Sequence, residues 1–379
     1  MKKKILFLSR LDPYDIRSWS GLNFFILNLL KKKFQIYTVG PLSNRVRYLY
    51  LIKKFFFYLL KIKFDIDRPI LVAKDFARQI EKKIKGINYD AIFTSDTYLV
   101  SFLKTKKPIF IWTDFVFATY YDHYFSKIKI SKNTLKEGNY CEKIALKKTK
   151  KIILTSKWAV NCAANQYKIN KKKFNVLQFG ANLNFIPGNI ILKKNIYKKK
   201  FDKCRLLTVG VSWERKGMAK AIELMKSIEY KGIKVELCII GSVPPKNYIL
   251  PSNVVIIKFL NKNNPLDQKV LASYYLKSHF HILFSKAEAS AVVYSEASAF
   301  GLYTITHDLG GAPDLIENNV NGYRFDINND NMDIISDYVL NIYSNKKLFI
   351  KKSLESRKHY NKKLNWDIIS KKLYRIIDI

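Results

Sequence analysis

Residues 280–325 read FHILFSKAEASAVVYSEASAFGLYTITHDLGGAPDLIENNVNGYRF. FHILFS is a short apolar run that predicts a buried strand, and LYTITH, about twenty residues further on, predicts a second. Between them the pattern predicts a helix over Ala291 to Phe300, with Ser290 as its N-cap and Gly301 where a left-handed C-terminal cap belongs. Strand, helix and strand in this order are the repeating unit of a parallel sheet.

Two acids are placed around that helix, Glu288 in the loop before it and Glu296 inside it. A helix N-terminus presents unpaired N–H groups and a partial positive charge, so a diphosphate suits the backbone of Ala289, Ser290, Ala291 and Val292. From Ala291 to Glu296 the axis rises by roughly 7 Å at about 1.5 Å per residue. Glu296 then reaches a ribose, while Glu288 faces the other end of the diphosphate, where a donor sugar would lie. Carboxylates accept hydrogen bonds from hydroxyls, which fits both places. On spacing alone, the alternative is a solvated helix bearing two surface acids.

The stretch resembles the retaining GT-B glycosyltransferases of the family 4 type. Their pattern of two glutamates, a second strand, a GG turn and an acid followed by Asn-Gly is met by Glu288, Glu296-Ala297, Ala299, Gly301, Gly310-Gly311, Asp314 and Asn321-Gly322, in that order. The resemblance implies an α/β chain of GT-B fold, with two Rossmann-like domains facing across a cleft and a C-terminal helix crossing back to the N-domain. It also implies a hexosyltransferase that moves a sugar from a UDP or GDP sugar to a hydroxyl with retention, needing no metal and no cofactor beyond the donor. In such enzymes the leaving phosphate itself can take the acceptor's proton, and the sequence shows no Ser/His/Asp or Cys/His arrangement.

The length of 379 residues suffices for two domains with separate cores. Lys and Arg number 68 against 30 Asp and Glu, a net charge of +38 that admits nucleic acid, an anionic membrane or an anionic substrate as partner. The lysines are spread along the whole chain without a recognition motif, so no nucleic-acid partner is expected. Cys141, Cys162, Cys204 and Cys238 lie far apart, with no CxxC pair and no neighbouring His cluster, which argues against a zinc site or a disulfide framework. The apolar run at the N-terminus, ILFL, is too short for an export signal, and no run approaches the roughly 18 residues of a spanning helix. The expected location is cytoplasmic, with a peripheral place on the inner face of the membrane open to it.

Along the chain, Ile5 to Leu8 predicts the first strand, followed by a loop whose Gly21 opens the helix GLNFFILNLLKK. Gly21 is either a second anion or acceptor site at a helix N-terminus or a tight turn; the resemblance places such a glycine on the cleft. FQIYTVG, DAIFTS, PIFIWT, KIILTS and NVLQFG continue the strand series. Asp114, after PIFIWT, is the N-domain residue expected to face the cleft, where many relatives have a histidine and this chain has none. Residues 45–64, RVRYLYLIKKFFFYLLKIKF, interleave basic and aromatic residues, with Leu51, Phe55, Tyr58 and Ile62 at helical spacing. The segment is either a membrane-interface helix with Lys53, Lys54, Lys61 and Lys63 near anionic headgroups or a partly buried helix of the N-domain. Asp65-Ile66-Asp67 has the form of a metal-binding DxD but stands apart from any nucleotide-binding pattern, so it is assigned to chance.

The N-domain is expected over 1–185, a linker over 186–201, the nucleotide-sugar domain over 202–360 and the returning helix over 361–379. In the second domain CRLLTVGVSWERKG places Gly210 after a strand and Lys216 at the next helix. By the resemblance Lys216 contacts the donor diphosphate; Val211 stands where relatives often have an arginine, and Arg215 is expected to supply that charge. VELCIIGS brings Gly241 under the nucleotide, and Phe259 and Leu260 are expected against the base. The acceptor is expected to be a cell-envelope glycan or a lipid-linked sugar. The alternatives are a sugar-nucleotide epimerase of the same fold and a non-enzymatic basic protein that binds nucleic acid.

Overall fold

Ile5, Leu6, Phe7 and Leu8 have no exposed surface, and neither have Phe110, Ile111 and Trp112. A strand buried on successive residues has both faces covered, as in a parallel sheet clad by helices. The computed structural model describes residues 2–378. They divide into one unit running up to Leu177 and resuming at Ser370, and a second unit of Gln178–Ile369.

The first unit holds a six-stranded sheet of β1 (Lys4–Leu8), β2 (Gln35–Val39), β3 (Ala91–Thr94), β4 (Ile109–Thr113), β5 (Lys151–Leu154) and β6 (Phe174–Val176), in the order β2-β1-β3-β4-β5-β6. Every neighbouring pair is parallel. Its helices are α1 (Leu22–Lys33), α2 (Leu51–Leu59), α3 (Ile70–Lys83), α4 (Phe117–Tyr124), α5 (Lys132–Lys148) and α6 (Lys157–Tyr167).

The second unit repeats the plan with α7 (Asn189–Tyr197), β7 (Cys204–Val209), α8 (Met218–Tyr230), β8 (Val235–Ile240), β9 (Val254–Ile257), α9 (Pro265–Lys277), β10 (Phe280–Leu283), α10 (Val292–Ala299), β11 (Tyr303–His307), β12 (Gly322–Phe325), α11 (Met332–Ser344) and α12 (Lys346–His359). The sheet order is β12-β11-β10-β7-β8-β9, again all parallel. Side chains alternate across it. Leu206, Leu237 and Ile282 enter one core layer, and their neighbours Leu207, Cys238 and Leu283 enter the other.

Helix α13 (Trp366–Ile376) starts in the second unit and ends in the first. Trp366 donates its indole N–H to the Ala181 carbonyl at 2.9 Å, and the Tyr374 hydroxyl donates to the Leu29 carbonyl at 2.6 Å. Among the described residues no helix is long and apolar enough to cross a membrane.

Four expectations are corrected. Residues 186–201 are no open linker: they contain α7, which belongs to the second unit and buries Leu192 and Ile196 one turn apart, leaving its lysines outside. Helix α10 is shorter than the predicted Ala291 to Phe300, and its N-cap is Ala291, because Ser290 makes no side-chain cap. GYRF forms the edge strand β12, which was read only as the tail of a motif. Residues 45–64 form α2 over Leu51–Leu59, so Ile62, expected at helical spacing, lies beyond it; Lys53 and Phe57 are half-buried and the other residues of α2 are exposed.

Candidate functional site

In the second sheet β7 lies between β8 and β10, and the chain leaves β7 toward one neighbour while β10 continues toward the other edge. The loops after β7 and β10 therefore diverge at the carboxyl ends of the strands, where open α/β sheets bind ligands. Gly217 closes the loop after β7 against β10. Its φ is +68°, and a Cβ there would stand 2.0 Å from the Phe284 carbonyl oxygen, so only glycine allows the approach. Lys286 N–H then donates to the Arg215 carbonyl at 2.8 Å, tying the two loops together.

The result is a cluster of charges. Lys216 Nζ pairs with Glu288 Oε2, and Arg215 Nη1 lies 3.6 Å from the same oxygen. The Ser285 hydroxyl donates to it at 3.4 Å. Glu288 is 4% exposed and Lys216 8%, so this is a buried ion pair with two cations facing one anion. Burial draws the Lys216 ammonium below its ordinary pKa, against the pull of Glu288 beside it. Gly210 leaves room for the lysine stem, since a Cβ there would lie 3.2 Å from Lys216 Cγ. Gly241, with φ +93°, passes over the Gly210 carbonyl, and the Ser242 hydroxyl donates to that carbonyl at 2.7 Å.

Helix α10 begins beside this cluster. Its N-cap Ala291 has no side chain with which to cap the first turn, whose Tyr294 N–H turns back to the Ala291 carbonyl at 3.0 Å. Ala289, Ala291 and Val292 are buried, and the buried Ser290 hydroxyl has no hydrogen-bond partner among the described residues. Glu296 is fully buried and faces a different set of partners: Lys262 Nζ at 2.5 Å from Oε1 and the Tyr275 hydroxyl at 3.0 Å from Oε2. Burial and the Glu296 charge push the Tyr275 phenol upward. The reading of two solvated surface acids thus fails for both glutamates. Lys262 and Tyr275 were missed: Lys262 sits in an Asn-rich loop of a chain full of lysines, and Tyr275 lies on α9 without a motif to mark it. Phe259 and Leu260 lie on the loop after β9, Phe259 exposed and Leu260 half-buried.

The first unit has its own cavity, of about 370 Å³, at the carboxyl ends of β1, β3 and β4, with Ser9, Asn23, Asp96, Asp114, Arg68 and Glu142 on its walls. Asp114 accepts from the Thr113 hydroxyl at 3.3 Å. Glu142 is buried and accepts from the Thr97 hydroxyl at 2.5 Å, while its other oxygen has no hydrogen-bond partner among the described residues. Burial raises its carboxyl to about 7, with Thr97 and Arg68 pulling the other way. Burial also works against the Arg68 charge but is outweighed by Asp96 and Asp65, so its pKa rises. Trp19 lines the same cavity, and Gly21 follows it as the left-handed N-cap of α1, with φ +81°. Asp65 accepts from the Tyr121 hydroxyl at 2.7 Å, and Asp67 pairs with Arg10 at 3.2 Å, so both carboxylates of the DxD are engaged in the fold.

Comparison with known proteins shows what the chain is similar to. Residues 190–363 match the family described as glycosyl transferases group 1. The match holds β7 to β12, with Arg215, Lys216, Glu288 and Glu296 inside it. An uncharacterized glycosyltransferase of Methanocaldococcus jannaschii, MJ1178, is 27% identical over 242 residues, which is 63% of this chain and 62% of that relative. Sucrose-phosphate synthase from Thermosynechococcus elongatus superposes with a TM-score of 0.72 at 14% identity, covering 99% of this chain and 98% of that one. WaaG, a glycosyltransferase involved in lipopolysaccharide biosynthesis, gives 0.65 at 14% identity over 99% and 100% of the two chains. Anabaena HepE in complex with UDP and glucose gives 0.62 at 12% identity over 99% of each. These likenesses give the chain the GT-B fold.

Proposed function

We propose that the protein transfers a sugar from a nucleoside diphosphate sugar to a hydroxyl of a glycan or lipid-linked acceptor, with retention at the anomeric carbon. The observation that carries the reading is the buried Arg215–Lys216–Glu288 cluster at the uncapped start of α10. Two cations against one carboxylate leave a net positive charge in a nearly dry place, and a diphosphate supplies what is wanting. When it arrives, Lys216 turns to the phosphate oxygens and frees Glu288 for the sugar hydroxyls. Glu296, one and a half turns into α10, takes the ribose in exchange for Lys262.

In the transfer the bond between the anomeric carbon and the phosphate oxygen breaks as the acceptor oxygen bonds to that carbon. The acceptor's proton passes to the departing diphosphate, whose negative charge Arg215, Lys216 and the α10 amides stabilise from fixed positions. No metal has a part in this scheme. The acceptor is held by the first unit, at the cavity containing Asp114 and Asp96. UDP is the first nucleotide to try, because HepE, of the same fold, is seen with UDP and glucose.

A thermal-shift panel of UDP, GDP, CDP and ADP against the wild type and Glu296→Gln tests the reading. A diphosphate at a hundred times its Kd stabilises the native state by roughly 2.7 kcal/mol, which moves Tm by a few degrees. One nucleotide is expected to shift the wild type and to lose its effect in the variant. Failure of all four at millimolar concentration removes the reading. The anomeric configuration of the product, followed by NMR with the matching donor, then tests retention.

A further inference from the structure

The helix that the transfer scheme leaves unused is α2. In a soluble unit an amphipathic helix turns its apolar stripe inward; α2 is mounted the other way round. On its inner side Lys53 and Phe57, with Tyr50 just before the helix, meet Phe64: the Phe57 ring stacks on it at 5.3 Å, the Tyr50 ring, which also packs on the core of the unit, stands at 6.2 Å, and Lys53 Nζ sits 5.2 Å from the ring centre. On the opposite side Ile52, Phe55, Phe56 and Leu59 recur at i, i+3, i+4 and i+7. Ile52 is 76% exposed and the other three at least 60%. The rim is basic. Residues 45–64 contain Arg45, Arg47, Lys53, Lys54, Lys61 and Lys63 and no acid. The neighbouring segment joins through Lys63 N–H to the Lys129 carbonyl at 2.8 Å and adds exposed Lys127, Ile128 and Lys129.

We propose that α2 and this rim are a docking element for an anionic bilayer, the helix lying in the headgroup layer with Ile52, Phe55, Phe56 and Leu59 among the acyl chains. Apolar side chains around a helix with lysines at its edges are what an interface of hydrocarbon and anionic phosphate accommodates. A second copy of the chain would bring the same cations against these cations. A nucleic acid would satisfy the cations but leave Ile52 and Leu59 in water. With no spanning helix among the described residues, attachment through α2 is reversible.

The test uses the full chain and no nucleotide sugar, so its outcome is separate from that of the transfer reading. Co-sedimentation is measured with phosphatidylcholine vesicles and with vesicles containing phosphatidylglycerol. Binding is expected to the anionic vesicles and not to the neutral ones. A lysine near an anionic surface strengthens binding about fivefold, so Lys54→Gln with Lys61→Gln is expected to weaken it about 25-fold. Ile52→Ser, Phe55→Ser and Leu59→Ser together are expected to abolish it with Tm unchanged, because these side chains face away from the unit. The proposal is overturned if anionic and neutral vesicles bind alike, if the triple variant binds as the wild type does, or if sedimentation velocity shows a dimer that the triple variant loses.

Discussion

Glu142 is a carboxyl whose proton the fold retains. Its folded pKa, raised by burial to about 7, lies above the ordinary value of 4.5, so the folded state binds the proton more tightly than the unfolded chain. Stability from this group is fully present below about pH 4.5 and is lost as pH rises through about 7, a change of about 3 kcal/mol. Glu142→Gln, which keeps the shape and cannot ionise, is expected to flatten that slope for the first unit in urea titrations across this range. The Lys216–Glu288 pair predicts a different response. Lys216→Met leaves a buried carboxylate whose remaining cation, Arg215, lies 3.6 Å away and is expected to cost about 3 kcal/mol or more, whereas Lys216→Met with Glu288→Leu recovers most of that stability. Neither variant is expected to transfer sugar. If Arg215 and Lys216 neutralise the diphosphate, EDTA leaves the transfer rate unchanged; a loss restored by magnesium would assign that charge to a metal. At this scale the sequence exposed Glu288, Glu296 and Lys216 because order and spacing single them out. It concealed Lys262, Tyr275 and Glu142, whose importance comes from contacts between distant segments.

Strands buried on both faces are continuous apolar runs like ILFL, IFIWT or VELCII, and the half-exposed β2 and β6 were still visible through runs that overlap them. β12 was not, because an edge strand half in contact with water reads GYRF, with an arginine in it. α7 was hidden by its lysines, since two buried side chains suffice to hold nine residues. The loop between β1 and α1 shows a feature no composition reveals, three successive left-handed residues: Trp19 at φ 47°, Ser20 at φ 56° and Gly21 at φ 81°. A side chain in that region costs roughly 1–2 kcal/mol, so Ser20→Gly is expected to raise Tm by a degree or more, measured by calorimetry. Gly217→Ala is expected to do the reverse and by more, because its Cβ would stand 2.0 Å from the Phe284 carbonyl oxygen and part the loops that hold Lys216 against Glu288.

Over the whole chain the two units carry opposite pH responses. His279, His281, His307 and His359 all belong to the second unit, all are buried, and burial holds each below the ordinary histidine value. His279 and His281 are held at about 3 and His359 at about 4. A depressed folded pKa gives stability that is present above about 6.5 and lost as pH falls toward the folded value. At about pH 5.5 each of these three costs the second unit about 1 kcal/mol. Glu142 works the other way in the first unit. Calorimetry from neutral pH down to about 5 is expected to resolve two transitions that move apart; a single transition that only slides would contradict this.

The path of the chain through its two units has a consequence for synthesis. Residues 178–369 are continuous, so the second unit can form as soon as they have left the ribosome. The first unit is begun first but resumes only at Ser370, and the Leu29 carbonyl waits for the hydroxyl of Tyr374. For the time it takes to translate the intervening residues the nascent first unit is incomplete. During that interval Leu29 and Phe34 stand without Tyr374, the side chain that packs on them in the finished unit.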